Sequence, residues 1–240
     1  MAESNIIKNF INSNMDIETT LQNLIVILYC LEDETSINWA KKELSGYDRD
    51  DLLPKYRNLK GRVLGSVTDG ANIYSDIEFG TTHLHNDLRE SLLKVNLRSS
   101  ISTLISSRNS WEGLGKPIFP EYYYLLQNLI PGTNIIKASV DIDLTDVNNI
   151  ISKVKLNILD ILLFLEKKFG NLDKLNIDIS KITEKELENI IKHIHIQIEL
   201  YDNSINIGDN NKINKSNITT NKVNSISKFK KLVSFKKHKY

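Results

Sequence analysis

Apolar residues recur every three or four positions in several stretches of the chain, and this period predicts amphipathic helices. The clearest stretches cover about 16–31, 34–45 and 146–170. Gly46 and Gly170 stand at the ends of the second and third stretches, where glycine commonly stops a helix. We therefore expect three helices whose apolar stripes face a shared core.

Other stretches have a shorter or more interrupted pattern. Residues 84–105 have helical spacing with a predicted break near Asn96. Glycines and prolines cluster in 108–120, which predicts a loop, and a short helix is expected between there and residue 131. The middle of the chain is thus predicted to be broken into small elements.

Four stretches favour strands. Residues 56–67 and 73–79 combine β-favouring side chains with glycines and predict a hairpin or a short strand pair, and 135–142 predicts a further strand. Residues 193–200 alternate polar and apolar side chains strictly, which predicts a half-buried strand. Helices and short strands without a βαβ rhythm give an α+β fold. We expect a mainly helical domain with a few short antiparallel strands, followed by a β-prone segment and a basic tail.

Charge is divided unevenly along the 240 residues. The formal net charge is only +1, but nine lysines and no acidic residue follow Asp209, so residues 1–209 carry −8. Composition changes near the same place. We predict an acidic α+β domain over 1–201, an asparagine-rich segment over 202–227, and a basic amphipathic tail over 228–240.

The asparagine-rich segment contains three imperfect copies of N-x-[IV]-N. Asparagine amides can form ladders along stacked strands while branched side chains pack between them, which would make the segment a self-association element. A polar, poorly ordered linker is the alternative, and the scarcity of bulky apolar side chains favours it for an isolated monomer.

The basic tail combines lysines with apolar side chains at helical spacing. Such a segment can bind an anionic membrane surface or nucleic acid, or it can remain a solvated tail. The residues predicted to make the interaction are Lys228, Phe229, Lys230, Lys231, Phe235, Lys236 and Lys237.

Several classes of protein are excluded or disfavoured. The single cysteine, Cys30, excludes an intrachain disulfide framework and a multi-cysteine metal site. The longest apolar runs are far shorter than the ~20 residues that span a bilayer, and the first residues lack a secretory pattern. We expect a cytoplasmic protein, with peripheral membrane association as an alternative. No phosphate-binding glycine motif occurs, so no cofactor is predicted.

Histidines supply weak candidates for a metal site. On a strand, His193, His195 and Glu199 would share one face and could hold zinc or another divalent ion. An exposed polar face of a half-buried strand is the favoured interpretation. We therefore predict no metal site, identify no catalytic residue, and favour a protein that is not an enzyme.

Two motifs near the second predicted helix support a family resemblance. They are Trp39-x-x-x-Glu43-Leu44-x-Gly46-Tyr47 and Leu53-Pro54-x-Tyr56-Arg57. Together they resemble the hallmark of the AbiTii family of abortive-infection proteins. The helix end at 154–173 and the trailing stretch 207–218 are also similar to that family, so the resemblance spans about 16–218. No motif supports it within 71–145.

The resemblance implies defence against phage by arresting or killing the infected cell, and it carries no catalytic residue. The residues themselves predict a structural corner. Trp39 fills space against the preceding helix, Gly46 permits a turn, and Tyr47 and Tyr56 pack at the chain reversal. An ion pair between Glu43 and Arg57 could fix that reversal. Core packing is favoured over ligand binding for this set.

Three functions remain open. The first is a non-enzymatic sensor, adaptor or toxin component that forms a homo-oligomer, with a second defence protein as a further partner. The second is an effector enzyme such as a nuclease. The third is a membrane-perturbing effector that acts through residues 228–240.

Overall fold

A computed structural model describes residues 3–109, 114–127 and 129–203. These residues belong to one compact unit, Met1–Ser204, and a second unit comprises Ile205–Tyr240. The basic tail and all but the first two residues of the asparagine-rich segment lie outside the described residues. The predictions made for them stay predictions.

Seven α-helices occur in the described part of the chain. Their bounds are α1 Asn5–Ile11, α2 Ile17–Tyr29, α3 Glu34–Ser45, α4 Asn86–Leu93, α5 Ile101–Asn109, α6 Leu144–Phe169 and α7 Glu184–Asn203. The three helices with the clearest apolar period, α2, α3 and α6, are confirmed. Gly46 and Gly170 end α3 and α6 with positive φ angles of 94° and 80°.

Helix α6 is the centre of the helical core. It contacts α1, α2, α5 and α7, and one stripe of it is buried along its whole length. That stripe consists of Val147, Ile150, Ile151, Val154, Ile158, Ile161, Leu162 and Leu165. The carboxylate of Asp143 accepts the Thr145 N–H at 2.7 Å and caps the first turn. The long apolar stripe explains why so many elements pack on this helix.

Two small antiparallel sheets complete the fold. The strands are β1 Asn58–Lys60, β2 Arg62–Thr68, β3 Ile73–Phe79, β4 Lys94–Asn96, β5 Gly115–Ile118 and β6 Asn134–Asp141. Strands β1 and β4 form one sheet, and the other has the order β3-β2-β6-β5. The predicted strand pair is confirmed by β2 and β3, and the predicted strand at 135–142 and the α+β fold class are confirmed as well. The first part of 56–67 differs, because it forms a 3₁₀ helix, Lys55–Arg57, and the separate strand β1, which pairs with β4.

Residues 84–105 are interrupted near Asn96, as predicted, because β4 lies between α4 and α5. The loop predicted over 108–120 is wrong at β5. Pro117 lies within this strand, and β5 is at the edge of its sheet, where a residue without an N–H donor is tolerated. Glycine and proline in this stretch therefore led to the prediction of a loop where the structure has an edge strand.

The strand predicted at 193–200 is also wrong, because these residues belong to α7. The alternation is short, whereas Leu187, Ile190 and Ile194 continue a helical spacing that buries Ile190 and Ile194. A capping box at Thr183 starts the helix, since Glu186 accepts the Thr183 N–H and the Thr183 hydroxyl accepts the Glu186 N–H. Because these residues are helical, the side chain of Ile196 is 51% exposed.

Candidate functional site

The two hallmark motifs meet where α3 ends and the chain turns back through a short 3₁₀ helix, Lys55–Arg57. The turn requires glycine at position 46. A Cβ there would lie 2.9 Å from the Arg98 carbonyl oxygen, and the φ angle of 94° is unfavourable for other residues. The Tyr47 N–H donates to the same Arg98 carbonyl at 2.7 Å. The turn therefore sits directly against the chain that follows β4.

Glu43 and Arg57 form a fully buried ion pair at this corner. The Arg57 Nη2–Glu43 Oε2 distance is 2.5 Å, the Nε–Oε1 distance is 3.1 Å, and neither side chain has any exposure. Arg57 Nη1 also donates to the carbonyls of Leu97 and Ser99, at 3.0 and 2.7 Å. The predicted pair is present, and it joins α3, the 3₁₀ helix and the segment after β4.

Two phenols complete the coordination of the carboxylate. The hydroxyls of Tyr47 and Tyr56 each donate to Glu43 Oε1 at 2.6 Å. The Trp39 indole N–H donates in turn to the Tyr56 hydroxyl at 3.2 Å, and the Arg57 guanidinium lies 4.9 Å from the centre of the Tyr47 ring. The five residues thus form one hydrogen-bonded unit, which we call the hallmark cluster.

Burial and charge determine the protonation of this cluster. Burial and the nearby Glu43 charge raise the pKa values of Tyr47 and Tyr56 above the ordinary phenol value, so both remain donors. Burial lowers the pKa of Arg57, but the attraction of Glu43 outweighs it and the net pKa is raised. The geometry therefore suits an ionised pair held by neutral phenols.

The remaining hallmark residues lie around the cluster. Leu44 and Pro54 are half-buried, and the Pro54 carbonyl accepts the Arg57 N–H at 3.0 Å. Trp39 is 8% exposed and belongs to the core. Because the polar groups of the cluster bind one another inside the protein, this arrangement suits a structural role, in which it fixes the chain reversal between α3 and the 3₁₀ helix. A structural role for the hallmark stays a prediction, which the variants proposed below would test.

The histidine candidates do not converge. In α7, residues two positions apart point to nearly opposite sides, unlike in the predicted strand. His193 stacks on Phe164 with 3.9 Å between ring centres, whereas His195 Nε2 lies 2.8 Å from Asp33 Oδ1. Glu199 is exposed. Within residues 3–203, as far as they are described, no group of three or more His, Cys, Asp or Glu side chains could hold a metal ion.

Asp33 is a buried polar residue that the sequence patterns did not single out. It caps α3 by accepting the Ser36 N–H at 3.4 Å, in addition to its contact with His195. Asp33 Oδ2 and Ser36 Oγ are buried without a hydrogen-bond partner among the described residues. An aspartate before a helix is a recognisable cap, but nothing in the sequence indicates a partner 162 positions away.

The stretch 154–173, which also carries the resemblance, positions the start of the chain. Glu166 Oε1 accepts the Ser4 N–H at 2.6 Å, and Asp173 Oδ1 accepts the Ile6 N–H at 3.1 Å. The Leu172 N–H donates to the Ser4 hydroxyl at 2.9 Å. The end of α6 and the residues after it therefore anchor α1 through hydrogen bonds to its first turn.

Within the residues that the structure describes, no helix combines the length and the apolar character needed to cross a membrane.

The model of the family described as AbiTii matches residues 4–193. The match covers 71–145, where no motif supports the resemblance, and it ends before 207–218. No curated protein and no solved structure matches the chain.

Proposed function

The chain belongs to the AbiTii family, which implies a role in abortive-infection defence against phage, and we propose that it acts there as a non-enzymatic, self-associating component. The role of this component would be that of a sensor or adaptor, or of a toxin subunit. The family match over residues 4–193 is the observation that carries the defence role.

The hallmark cluster supports the non-enzymatic part of the proposal. Glu43 and Arg57 would be the natural candidates for acid–base or anion-binding work at an accessible site. Their side chains are instead completely buried and are bound to each other, to Tyr47, to Tyr56 and to backbone carbonyls. Residues in this setting stabilise a scaffold on which a binding surface can be carried.

The sequence beyond the described residues supports self-association. The asparagine-rich segment offers amide ladders and branched side chains to a second copy of the chain. The lysines of the basic tail offer an attachment to an anionic surface, either a membrane or nucleic acid. In this proposal the acidic domain senses infection or binds a second defence protein, while the segment and tail assemble and localise it.

A phage plating assay in a heterologous host tests the proposal, and α7 determines where the chain should be cut. Asp202 accepts the Lys55 N–H and Tyr201 donates to Asp160, so a truncation must keep both residues. We expect a chain that ends at Ser204 to lose both protection and self-association. A chain that ends at Ser227 should still self-associate but protect less.

Light scattering coupled to size-exclusion chromatography measures self-association directly. The full chain with Lys236→Gln and Lys237→Gln is the matched control, because it alters tail charge without removing residues. An identical oligomeric state for the full chain and for the Ser204 truncation would contradict the role of the asparagine-rich segment. Full protection by that truncation would contradict the role of both appendages.

A further inference from the structure

A groove lies between the last turns of α6 and the first turns of α7. Its volume is about 420 Å³, and its lining includes Phe164, Lys168, Lys181, Asn189 and His193. This volume is within the range of roughly 300–1,000 Å³ that is usual for small-molecule sites. The polar side chains of the groove are exposed to solvent, whereas those of the hallmark cluster bind one another inside the protein.

An aromatic platform forms one wall of the groove. The rings of Phe164 and His193 stack with 3.9 Å between their centres and 25° between their planes, and both side chains are half-buried. Both rings line the groove, and flat heteroaromatic rings bind well on aromatic side chains.

Two lysines place positive charge beside this platform. Lys168 Nζ lies 6.0 Å from the centre of the Phe164 ring, and Lys181 lines the groove from the segment before α7. In the described part of the chain, no carboxylate forms an ion pair with either lysine. Each lysine acts on a carboxylate at longer range, Lys168 on Glu186 and Lys181 on Asp178, and adds to the hydrogen bonds that lower the pKa of that carboxyl. An anion in the groove would therefore compete with these longer-range contacts but would not have to break a direct ion pair.

The acidic residue of the groove is already engaged. Glu186 accepts hydrogen bonds from the Thr183 N–H and the Thr183 hydroxyl, at 3.0 and 2.8 Å. These bonds, together with the nearby Lys168 charge, lower the pKa of Glu186, and the bonds hold its carboxylate at the helix cap. The groups that would bind an anion in the groove are therefore the two lysine side chains.

We propose that this groove binds a nucleoside monophosphate or a closely similar small ligand, in which a flat heteroaromatic ring carries a phosphate group. The ring stacks on the Phe164–His193 platform, and Lys168 and Lys181 bind the phosphate. The Asn189 amide can donate to and accept from the ring edge. This ligand site goes beyond the proposed function, which assigns no small molecule to the domain.

Isothermal titration of the full chain tests the proposal with three probes: adenosine 5′-monophosphate, adenosine and inorganic phosphate. We expect the monophosphate to bind more tightly than either fragment. Lys168→Ala and Lys181→Ala should each weaken its binding roughly fivefold or more, because each removes a charge-assisted contact. Lys155→Ala, an exposed lysine on α6 outside the groove, should leave the affinity unchanged.

Phe164→Leu separates the two halves of the site. It should weaken binding of the monophosphate much more than binding of inorganic phosphate, since the stacking face is lost while both lysines remain. Thermal unfolding checks that this variant folds. If Phe164→Leu does not fold, the variants of the exposed residues Lys168 and Lys181 still test the proposal.

Three results would overturn the proposal: no binding of the monophosphate at millimolar concentration, equal binding of monophosphate and phosphate, or equal losses in Lys155→Ala and Lys168→Ala. Binding of a single-stranded oligonucleotide without binding of the monophosphate would overturn it as well. Phage plating is scored separately, so failure of the ligand site and failure of the defence role are distinguishable.

Discussion

Helix α3 carries a buried carboxylate near each end, and the two are stabilised very differently. Glu43, near the C-terminal end, accepts hydrogen bonds from Arg57, Tyr47 and Tyr56. Asp33, at the N-cap, accepts from the Ser36 N–H and contacts His195, while its Oδ2 atom has no partner among the described residues. The exposures of Glu43 and Asp33 are nevertheless similar, at 0% and 4%.

The difference shows that the surroundings, more than burial itself, determine what a buried charge contributes. Glu43 is matched by a permanent cation whose guanidinium also binds two backbone carbonyls. The partner of Asp33 is a histidine whose side chain is 34% exposed. We therefore expect the Glu43 end of α3 to be critical for stability and the Asp33 end to be tolerant.

The largest effect is expected for Glu43→Gln. Removing the carboxylate charge leaves Arg57 buried without its anion, which should cost about 3–5 kcal/mol in the free energy of unfolding. Urea denaturation of the full chain measures this cost. Glu188→Gln is the matched control, because Glu188 pairs with Lys192 on the surface and should contribute about 0.5 kcal/mol or less.

A double-mutant cycle sharpens this test. Glu43→Gln combined with Arg57→Met removes both charges, so the combined loss should be clearly smaller than the sum of the two single losses. Additive losses would mean that the pair is not coupled, and a cost of Glu43→Gln below about 1 kcal/mol would refute the structural role of the hallmark.

A smaller effect is expected for Tyr56→Phe. The variant deprives Glu43 of one donor and the Trp39 indole of its acceptor, so we expect a loss of about 2 kcal/mol. Tyr201→Phe removes a similar phenol–carboxylate contact, with Asp160, from a half-buried position. Its loss should be smaller, and an equal loss would show that burial in the cluster adds nothing.

The same phenols predict how stability changes in alkali. Their folded pKa values lie above the unfolded value of about 10, so the stabilisation is fully present below that pH and is lost as the pH rises past it. Burial and Asp160 raise the pKa of Tyr201 to about 12. Phenolate absorbance during a pH titration should therefore show Tyr47 and Tyr56 ionising only with unfolding.

Helical periods and capping residues made much of this fold predictable. Helices α2, α3 and α6 combine a long apolar stripe with a clear start or stop, so local and tertiary preferences agree. Local and tertiary preferences disagree in α7. An eight-residue alternation within it predicts a strand, whereas a longer helical spacing places apolar side chains in the core. Strand β5 was concealed by Pro117, which only its place at a sheet edge makes acceptable.

The candidate sites divide in the same way. The Glu43–Arg57 pair was predictable because the two residues lie 14 positions apart, across one turn between recognisable elements. The contact between Asp33 and His195 spans 162 positions, and so it depends on how α7 packs against α3. The groove beside Phe164 depends on the packing of α6 and α7, together with a helical α7, which the alternation had concealed.

The smallest effect is expected for Asp33→Ala, which tests the tolerant end of α3. The variant loses a helix cap and the His195 contact, but it also removes a buried oxygen that has no partner among the residues that the structure describes. We therefore expect a loss of about 1 kcal/mol, close to that of Asp16→Ala, an exposed cap that accepts the Thr19 N–H. Urea denaturation compares the two variants directly. If Asp33→Ala cost as much as Glu43→Gln, the histidine would stabilise its carboxylate as well as the arginine does, and the contrast between the two ends of α3 would disappear.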